Sequence, residues 1–401
     1  MTGRRVRLRP STLKTDLIVI GGGPAGTSAA ATAASHGYDV ALLEEHSDVG
    51  EPVHCTGVLA QEAFEELDLP RTAVLNELTH VRFHAPGGTV LDYDTPSAEA
   101  VVIDRRAFDE QLAGRARAAG ASVYADARVT DLVVTASAVT ATTADGRTVT
   151  ARAAILATGA NYSLQRRLGL GMPALYLQSA QRELPAAQTG PVEVFFGRAI
   201  APNGFAWAVP VTRPEGRFVR LGLMAERDVE QGFAHIVANV GERWGLELPV
   251  PPPKRKMLPL GTVPRSYGDR VLAVGDAAGL VKPTTGGGIY YSIVSGRLAG
   301  HVLSAAIGSN ALTARDLAHY QQEWKRRFRR EFGAQLALRL LAHRMSDDAI
   351  NTMFSLSLAD GLLPILRRAA RFNHHQPFIR ELLAHPPARR LLFRTLTSSL
   401  L

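Results

Sequence analysis

The run Gly21-Gly22-Gly23-Pro24-Ala25-Gly26 constrains the fold of this chain more than any other feature. It follows an apolar β-type stretch, Asp16 to Ile20, and leads into a small-residue, helix-prone one, Ala25 to Ser35. A second strand-like stretch, Asp39 to Leu43, then runs into Glu44. Strand, tight turn, helix, strand and acid in that order predict a βαβ unit built to hold a dinucleotide. Gly21 permits the turn, Gly23 lets the backbone approach a pyrophosphate, and Gly26 lets the helix settle on the sheet. Pro24 and Ala25 open a helix whose positive end faces the phosphate charge. Glu44, 23 residues beyond Gly21, is placed to accept from ribose hydroxyls, whereas strand alternation sends Glu45 to solvent.

A second signal lies far along the chain. Val271 to Val274 is apolar and runs into Gly275-Asp276-Ala277-Ala278-Gly279, which puts an acid at the carboxyl edge where ligands of open α/β sheets gather. Asp276 is suited to a ribityl hydroxyl. The next stretch, Pro283 to Ile289, places the backbone N–H groups of Gly286, Gly287, Gly288 and Ile289 at another helix start, where they would stabilise negative charge on a reduced flavin. The cofactor expected from both signals is FAD.

Between these motifs, residues 105 to 119 have helical spacing. Strand-like stretches follow at 128–135, 138–143 and 148–150, with Ala144-Asp145-Gly146 as a turn, and 153–156 reads as a buried strand. From about 172 to 265 the pattern is β-type, broken by Pro and Gly. A strand at 270–274, a helix over about 287–306 and further helices after Asp316 complete the chain. The expected fold is α/β (α+β): a Rossmann-like FAD-binding domain over 14–171 and 266–310, with an insertion near 60–100. An interleaved antiparallel β substrate domain occupies 172–265 and a C-terminal helical region 311–401.

The composition narrows the function classes. At 46% hydrophobic residues and a mean hydropathy near zero, the chain has material for a large core. One cysteine, Cys55, excludes an internal disulfide framework and a cysteine-built zinc site, and no other metal site is expected. The opening MTGRRVRLRPSTLKTD is basic, but the apolar run behind it contains Gly21 to Pro24 and reads as strand and turn, not as a signal peptide. No stretch of about 18 uninterrupted apolar residues occurs, so any membrane contact would be peripheral. Residues 321–401 hold 14 Lys+Arg against 6 Asp+Glu and so carry the whole net charge of +8. Such an end fits anionic lipid or an acidic carrier, or a solvated helix face, and no nucleic acid is expected as partner. A cytoplasmic protein, with peripheral contact on the inner face of the membrane, is the expected location.

These residues resemble FAD enzymes of the p-hydroxybenzoate-hydroxylase-like fold. Asp104-Arg105-Arg106-Ala107-Phe108-Asp109 fits that group's D-R-x-x-F-D pattern, which implies that Arg105 lies near FAD, and Ala157-Thr158-Gly159 looks like its A-T-G turn. Val129 and Gly159 join the expected cofactor contacts. Within the fold the chain is similar to the geranylgeranyl reductase family, flavoproteins that hydrogenate isolated double bonds of prenyl chains. Three passages carry this: Glu51 to Gly57 resembles P-x-x-C-x-G, Ala201 to Pro210 resembles A-P-G-G-Y-x-W-x-F-P, and Gly275 to Ile289 resembles G-D-A-A-G through P-x-x-G-G-G-I. The family tyrosine is Phe205 here, the second glycine of its substrate motif is Asn203, and its usual C-G-G is Cys55-Thr56-Gly57.

The resemblance implies an isoprenoid lipid substrate and a site that excludes water. Phe195, Phe205, Trp207 and Pro210 are the expected substrate wall, and an indole face also stabilises cationic character. Cys55 and His54 are candidate proton donors. No second G-x-G-x-x-G exists, so the electron donor is either NAD(P)H bound transiently on the FAD face or a carrier such as ferredoxin or a quinol. The alternatives are a flavin monooxygenase, or a non-catalytic flavin- or lipid-binding protein. Halogenase chemistry is disfavoured, because Lys14, Lys254, Lys256, Lys282 and Lys325 are the only lysines and none lies between the Gly-rich loop and residue 253.

Overall fold

Leu17–Ile20 is apolar and buried at every position, the pattern of a strand covered on both faces. In the computed structural model, whose described residues are 12–359 and 362–397, this strand lies inside a six-stranded sheet. The order is Tyr267–Gly268, Val271–Ala273, Ala153–Leu156, Leu17–Ile20, Val40–Leu43, Ser122–Tyr124, parallel except for the edge strand Tyr267–Gly268. Two strands far apart in sequence, Val271–Ala273 and Leu17–Ile20, thus flank Ala153–Leu156 and end on the same carboxyl edge. The basic opening segment, residues 1–11, and the chain end, 398–401, lie outside the described residues.

The helix after the first turn, Pro24–Ser35, packs on Ile289–Ser309 at backbone distance. A Cβ on Gly296 would lie 2.2 Å from the Ala25 carbonyl oxygen, so only glycine permits this approach. The packing brings the starts of the two helices, one from each cofactor motif, to one place.

The second large layer is a seven-stranded sheet in the order Lys254–Pro259, Tyr176–Pro185, Gly216–Ala225, Phe205–Arg213, Val192–Phe195, His80–His84, Val90–Asp94. Its last two strands come from the segment read as an insertion near 60–100. His80–His84 joins Val192–Phe195 in parallel, with Phe83 opposite Val194, so the β-rich layer draws on two separate stretches of chain. Local periodicity does not reveal such a pairing, because a parallel neighbour is supplied by a distant segment. Smaller sheets of four strands (Leu13–Lys14, Val129–Val134, Val139–Thr143, Thr148–Ala151) and three strands (Val58–Ala60, Val74–Leu78, Ala100–Ile103) complete the β structure.

After Thr313, which caps the helix Ala314–Ala342 in a reciprocal pair with Asp316, the chain is helical: Asp347–Ala359, Leu362–Ala369, Gln376–Ala384 and Pro386–Thr397 follow. These helices bury a core of their own around Met345, Leu362, Leu382 and Leu392. They also reach the β layer, where Phe354 packs with Ala85 and Leu91. Among the described residues no single helix is long and apolar enough to cross a membrane.

Candidate active site

One cavity of about 1210 Å³ runs between the parallel sheet, the seven-stranded sheet and the C-terminal helices. At one end lies the glycine turn. Gly26 belongs to the packing, since a Cβ there would sit 1.9 Å from the Gly21 carbonyl oxygen, while Gly21 adopts φ +109° and abuts Ala157. Gly23 differs. It has an ordinary φ of −71°, and nothing lies within 4 Å of where its Cβ would be, so its lack of a side chain leaves open space in front of the Pro24–Ser35 helix start. Gly159 faces similar open space. A cradle of bare backbone at a helix N-terminus is what a pyrophosphate needs.

Glu44 is buried at the end of Val40–Leu43. One carboxylate oxygen accepts from the Gly22 N–H at 2.6 Å, and the other from the His46 backbone N–H at 3.0 Å and from the His46 ring at 2.6 Å. Glu44 therefore braces the glycine turn, a task the motif alone did not reveal, and its remaining lone pairs are available to hydroxyls. Glu45 is exposed and lies 3.8 Å from Arg128. Across the cleft, Asp276 is half-buried in the turn Gly275–Ala278, and Gly288 fits so closely that a Cβ would lie 2.9 Å from the Asp276 carboxylate. The cavity is lined by Gly286, Gly287, Gly288 and Ile289, and also by Val129. These residues fit FAD: an open pyrophosphate cradle, a ribose acid, and a second acid beside a glycine-rich helix start.

Arg105 lines the same cavity and is bound to Asp109 at 2.7 Å; burial pushes the Asp109 carboxyl up while Arg105 pulls it the other way. Its guanidinium also reaches the Cys55 sulfur, which accepts from the Gly57 N–H at 3.3 Å. The Cys55 loop is held from the β layer: the Thr56 hydroxyl donates to Gln181 at 2.8 Å and Arg220 donates to the Thr56 carbonyl at 2.6 Å. His54 lines the cavity with an unpartnered buried Nδ1. Burial first, then Lys256, Lys254 and His46, push its pKa below the ordinary histidine value, which favours the neutral ring and disfavours it as an acid.

The apolar half of the cavity corrects two expected wall residues. Phe205 and Trp207 line it, with ring centroids 5.7 Å apart. Phe195 does not: it is 3% exposed and stacks on His84 at 4.3 Å within a separate core. On Val192–Phe195 the alternation gives the cavity Val192 and Val194, and the ring that lines it is the next residue, Phe196. Pro210 is likewise out of phase with Phe205, Trp207 and Val209 on its strand and is not part of the wall. Asn203, where the resembling motif has glycine, takes φ +57°, a conformation that asparagine tolerates better than most side chains.

Two cations that the motifs did not single out reach the cavity. Lys282 is 3% exposed; its ammonium donates to the Phe372 carbonyl and sits over the Phe372 ring, and burial, opposed by Glu331 and Glu62, pushes its pKa down to about 7. Arg339 is 9% exposed and donates to the Asn203 carbonyl. Lys282 ends the apolar run Leu280-Val281 and Arg339 interrupts Leu338-Arg339-Leu340, and that was the signal available. With Lys256 also lining the cavity, the lysine spacing used against a halogenase says less about space than about sequence.

Fold and cavity together define a flavoprotein oxidoreductase. Residues 15–186 match the family model described as pyridine nucleotide-disulphide oxidoreductase, although a lone cysteine leaves no internal pair for the disulphide chemistry of that name. Digeranylgeranylglycerophospholipid reductase 2 of Methanothermobacter thermautotrophicus is 31% identical over 362 residues, covering 85% of this chain and 91% of that protein. The digeranylgeranylglycerophospholipid reductase of Methanocaldococcus jannaschii is 27% identical, covering 84% and 89%. A geranylgeranyl bacteriochlorophyll reductase-like protein from Thermoplasma acidophilum superposes with a TM-score of 0.83 at 23% identity, covering 96% of this chain and all of that one. Halogenase PltM, solved with FAD, shares the fold at a TM-score of 0.67 and 16% identity, covering 95% and 85%. The chain belongs to the geranylgeranyl reductase family of FAD-dependent oxidoreductases.

Proposed function

We propose that this enzyme hydrogenates isolated C=C bonds of a geranylgeranyl-type prenyl chain carried by a lipid, a quinone or a diphosphate. The observation that carries the reading is the continuity of one cavity, with a dinucleotide cradle at Gly21 to Gly23 and an apolar wall of Phe83, Phe196, Phe205, Trp207 and Phe354. FAD, when bound and reduced, supplies hydride. The chain's own residues do the rest. The aromatic wall holds an extended apolar chain and keeps water out, and the Trp207 face favours cationic character at a carbon being protonated. Cys55, held beside Arg105, is our candidate proton donor.

The test is anaerobic incubation of reduced protein with geranylgeranyl lipids and mass spectrometry of the extract, expecting a gain of about 2 mass units per bond with reoxidation of the flavin. Hydroxylated product in oxygen, with no saturated product, would favour a monooxygenase. The electron donor is NAD(P)H bound transiently or a ferredoxin- or quinol-type carrier, classes separated by anaerobic flavin reduction with each. We further propose a cytoplasmic enzyme whose basic C-terminal helices contact anionic membrane, since a lipid substrate has to leave a bilayer to enter the cavity.

A further inference from the structure

A buried guanidinium without a carboxylate is costly, and charges removed from water are found paired. Among the described residues Arg339 breaks that rule. It lies on the helix Ala314–Ala342, nine-tenths buried, and its recorded hydrogen bond goes to the neutral Asn203 carbonyl. Its pKa is pushed down to about 10 by burial, and among the described residues no carboxylate opposes the shift. Glu226, which meets Asn203, accepts from that residue's amide at 2.5 Å, and Asp347 accepts from the Arg198 backbone N–H at 3.1 Å. A guanidinium carries five donors, and at least one is spoken for.

Arg339 also lines the cavity. One turn further, His343 is exposed and lines it too, as does the exposed Arg198, whose guanidinium donates to the Met345 carbonyl at 3.2 Å. Beside these three cationic or protonatable groups the lining turns apolar at Met345, Ile350 and Phe354. The arrangement is amphiphilic: a basic cluster passing from buried to exposed, adjoining a wall for hydrocarbon. The glycine turn already provides a helix start for the cofactor's own phosphates, so this cluster addresses a different anion.

We propose that Arg339, with Arg198 and His343 at the rim, receives the phosphate or diphosphate head of the substrate while its prenyl chain lies along the apolar wall. This rests on the prenyl-reductase reading and deepens it by assigning the head its site. Arginine suits the task, because its planar fork matches phosphate oxygens bidentately. The ligand supplies the missing counter-charge of Arg339, and a neutral prenyl alcohol does not.

The experiment uses FAD-loaded protein in the oxidised state, where binding is read without turnover. Calorimetric titration with geranylgeranyl diphosphate, a geranylgeranylated glycerophospholipid, geranylgeraniol and inorganic pyrophosphate compares the heads. For Arg339→Gln at unchanged FAD content, affinity for the ligands carrying both phosphate and chain falls about tenfold or more, and affinity for geranylgeraniol is unchanged. Arg339→Lys recovers part of the loss. Under turnover the same variant raises KM for those substrates and leaves kcat within about twofold. Equal weakening of alcohol and phosphate ligands, or none, overturns the proposal in favour of a structural tie to Asn203. Pyrophosphate alone binding as tightly as the prenyl ligands would make the cluster a free-phosphate site and overturn it as well. Should Arg339→Gln fail to fold, Arg198→Gln carries the test, with a selective loss on phosphate-headed ligands expected. Head-dependent binding without reduction of any chain would sink the reaction reading while leaving this one standing.

Discussion

The ammonium of Lys282 lies 4.0 Å from the centroid of the Phe372 ring and donates to that residue's own carbonyl. The contact joins the loop that precedes the flavin-side glycines to the turn between two C-terminal helices, and both lie on the cavity. Neighbouring Thr284 extends the junction, pairing with the His375 ring at 2.8 Å and donating to Gln335 at 3.0 Å. The helical region is therefore a wall of the cavity, tied directly to the glycine-rich loop that precedes Ile289–Ser309.

That junction makes stability depend on pH. Lys282 has its pKa lowered to about 7 from 10.5, so between those values the unfolded chain holds a proton that the folded chain has released. Stability therefore rises as pH climbs through this window, and below about pH 7 the full penalty, on the order of 5 kcal/mol, applies. Lys282→Met is expected to raise Tm at pH 7 and to flatten the Tm profile between pH 7 and 10. The burial of His375, together with the nearby Lys282 charge, lowers its pKa from 6.5 to about 3, so a second loss of stability is expected as pH falls from 6.5. Thermal unfolding across buffers reads both, and a slope unchanged in the Lys282 variant would contradict the assignment.

The two glycines of the cofactor turn should fail differently. Gly23→Leu meets open space and an ordinary φ, so the fold should survive while the side chain occupies the place of the pyrophosphate; soluble, colourless protein with near-native circular dichroism is expected. Gly26→Leu drives a side chain into the Gly21 carbonyl, at 1.9 Å for the Cβ alone, and should not yield folded protein. Flavin absorbance at equal protein concentration separates the outcomes, and flavin retained by Gly23→Leu would remove the cradle from the account.

Much of this site could be read before the fold was known, and what could not has one cause. The glycine turn, Glu44 and Asp276 follow from demands met within a few residues: a turn, a helix start, a strand end. Phe195 was misplaced because a one-residue change of phase moves a side chain to the other face of a sheet, and the ring that lines the cavity is Phe196. Lys282 and Arg339 stayed hidden because their meaning depends on partners 90 and 136 positions away. A lone basic residue inside an apolar run marks an anomaly without saying what resolves it.

The corrected wall has its own test. Phe195→Ala removes a ring from a core outside the cavity and should cost roughly 3–5 kcal/mol of stability with little change in kcat/KM of the folded fraction. Trp207→Ala opens the cavity instead, and should lower kcat/KM on a prenyl substrate by about tenfold or more at a smaller cost in Tm. If the two variants lose activity in proportion to stability alone, the distinction between core ring and wall ring fails.

Membrane contact is best tested with arginines chosen for their surroundings. Arg368 is bridged to Glu381 at 2.5 Å, and Arg371 lines the cavity 3.9 Å from Glu99, so replacing either disturbs packing or the site. Arg367 and Arg380 are exposed on neighbouring helices of the same region, Leu362–Ala369 and Gln376–Ala384. The region also exposes large apolar side chains, Leu340, Leu358 and Phe393, each more than half accessible. Charge at about 1 kcal/mol per basic residue, together with apolar contact, is enough for reversible attachment to anionic vesicles. The protein should sediment with phosphatidylserine-containing liposomes at low salt and release as ionic strength rises, with Arg367→Gln/Arg380→Gln weakening attachment several-fold at constant FAD content. Equal sedimentation with purely zwitterionic vesicles, or none with either, would assign these helices to the cavity wall alone.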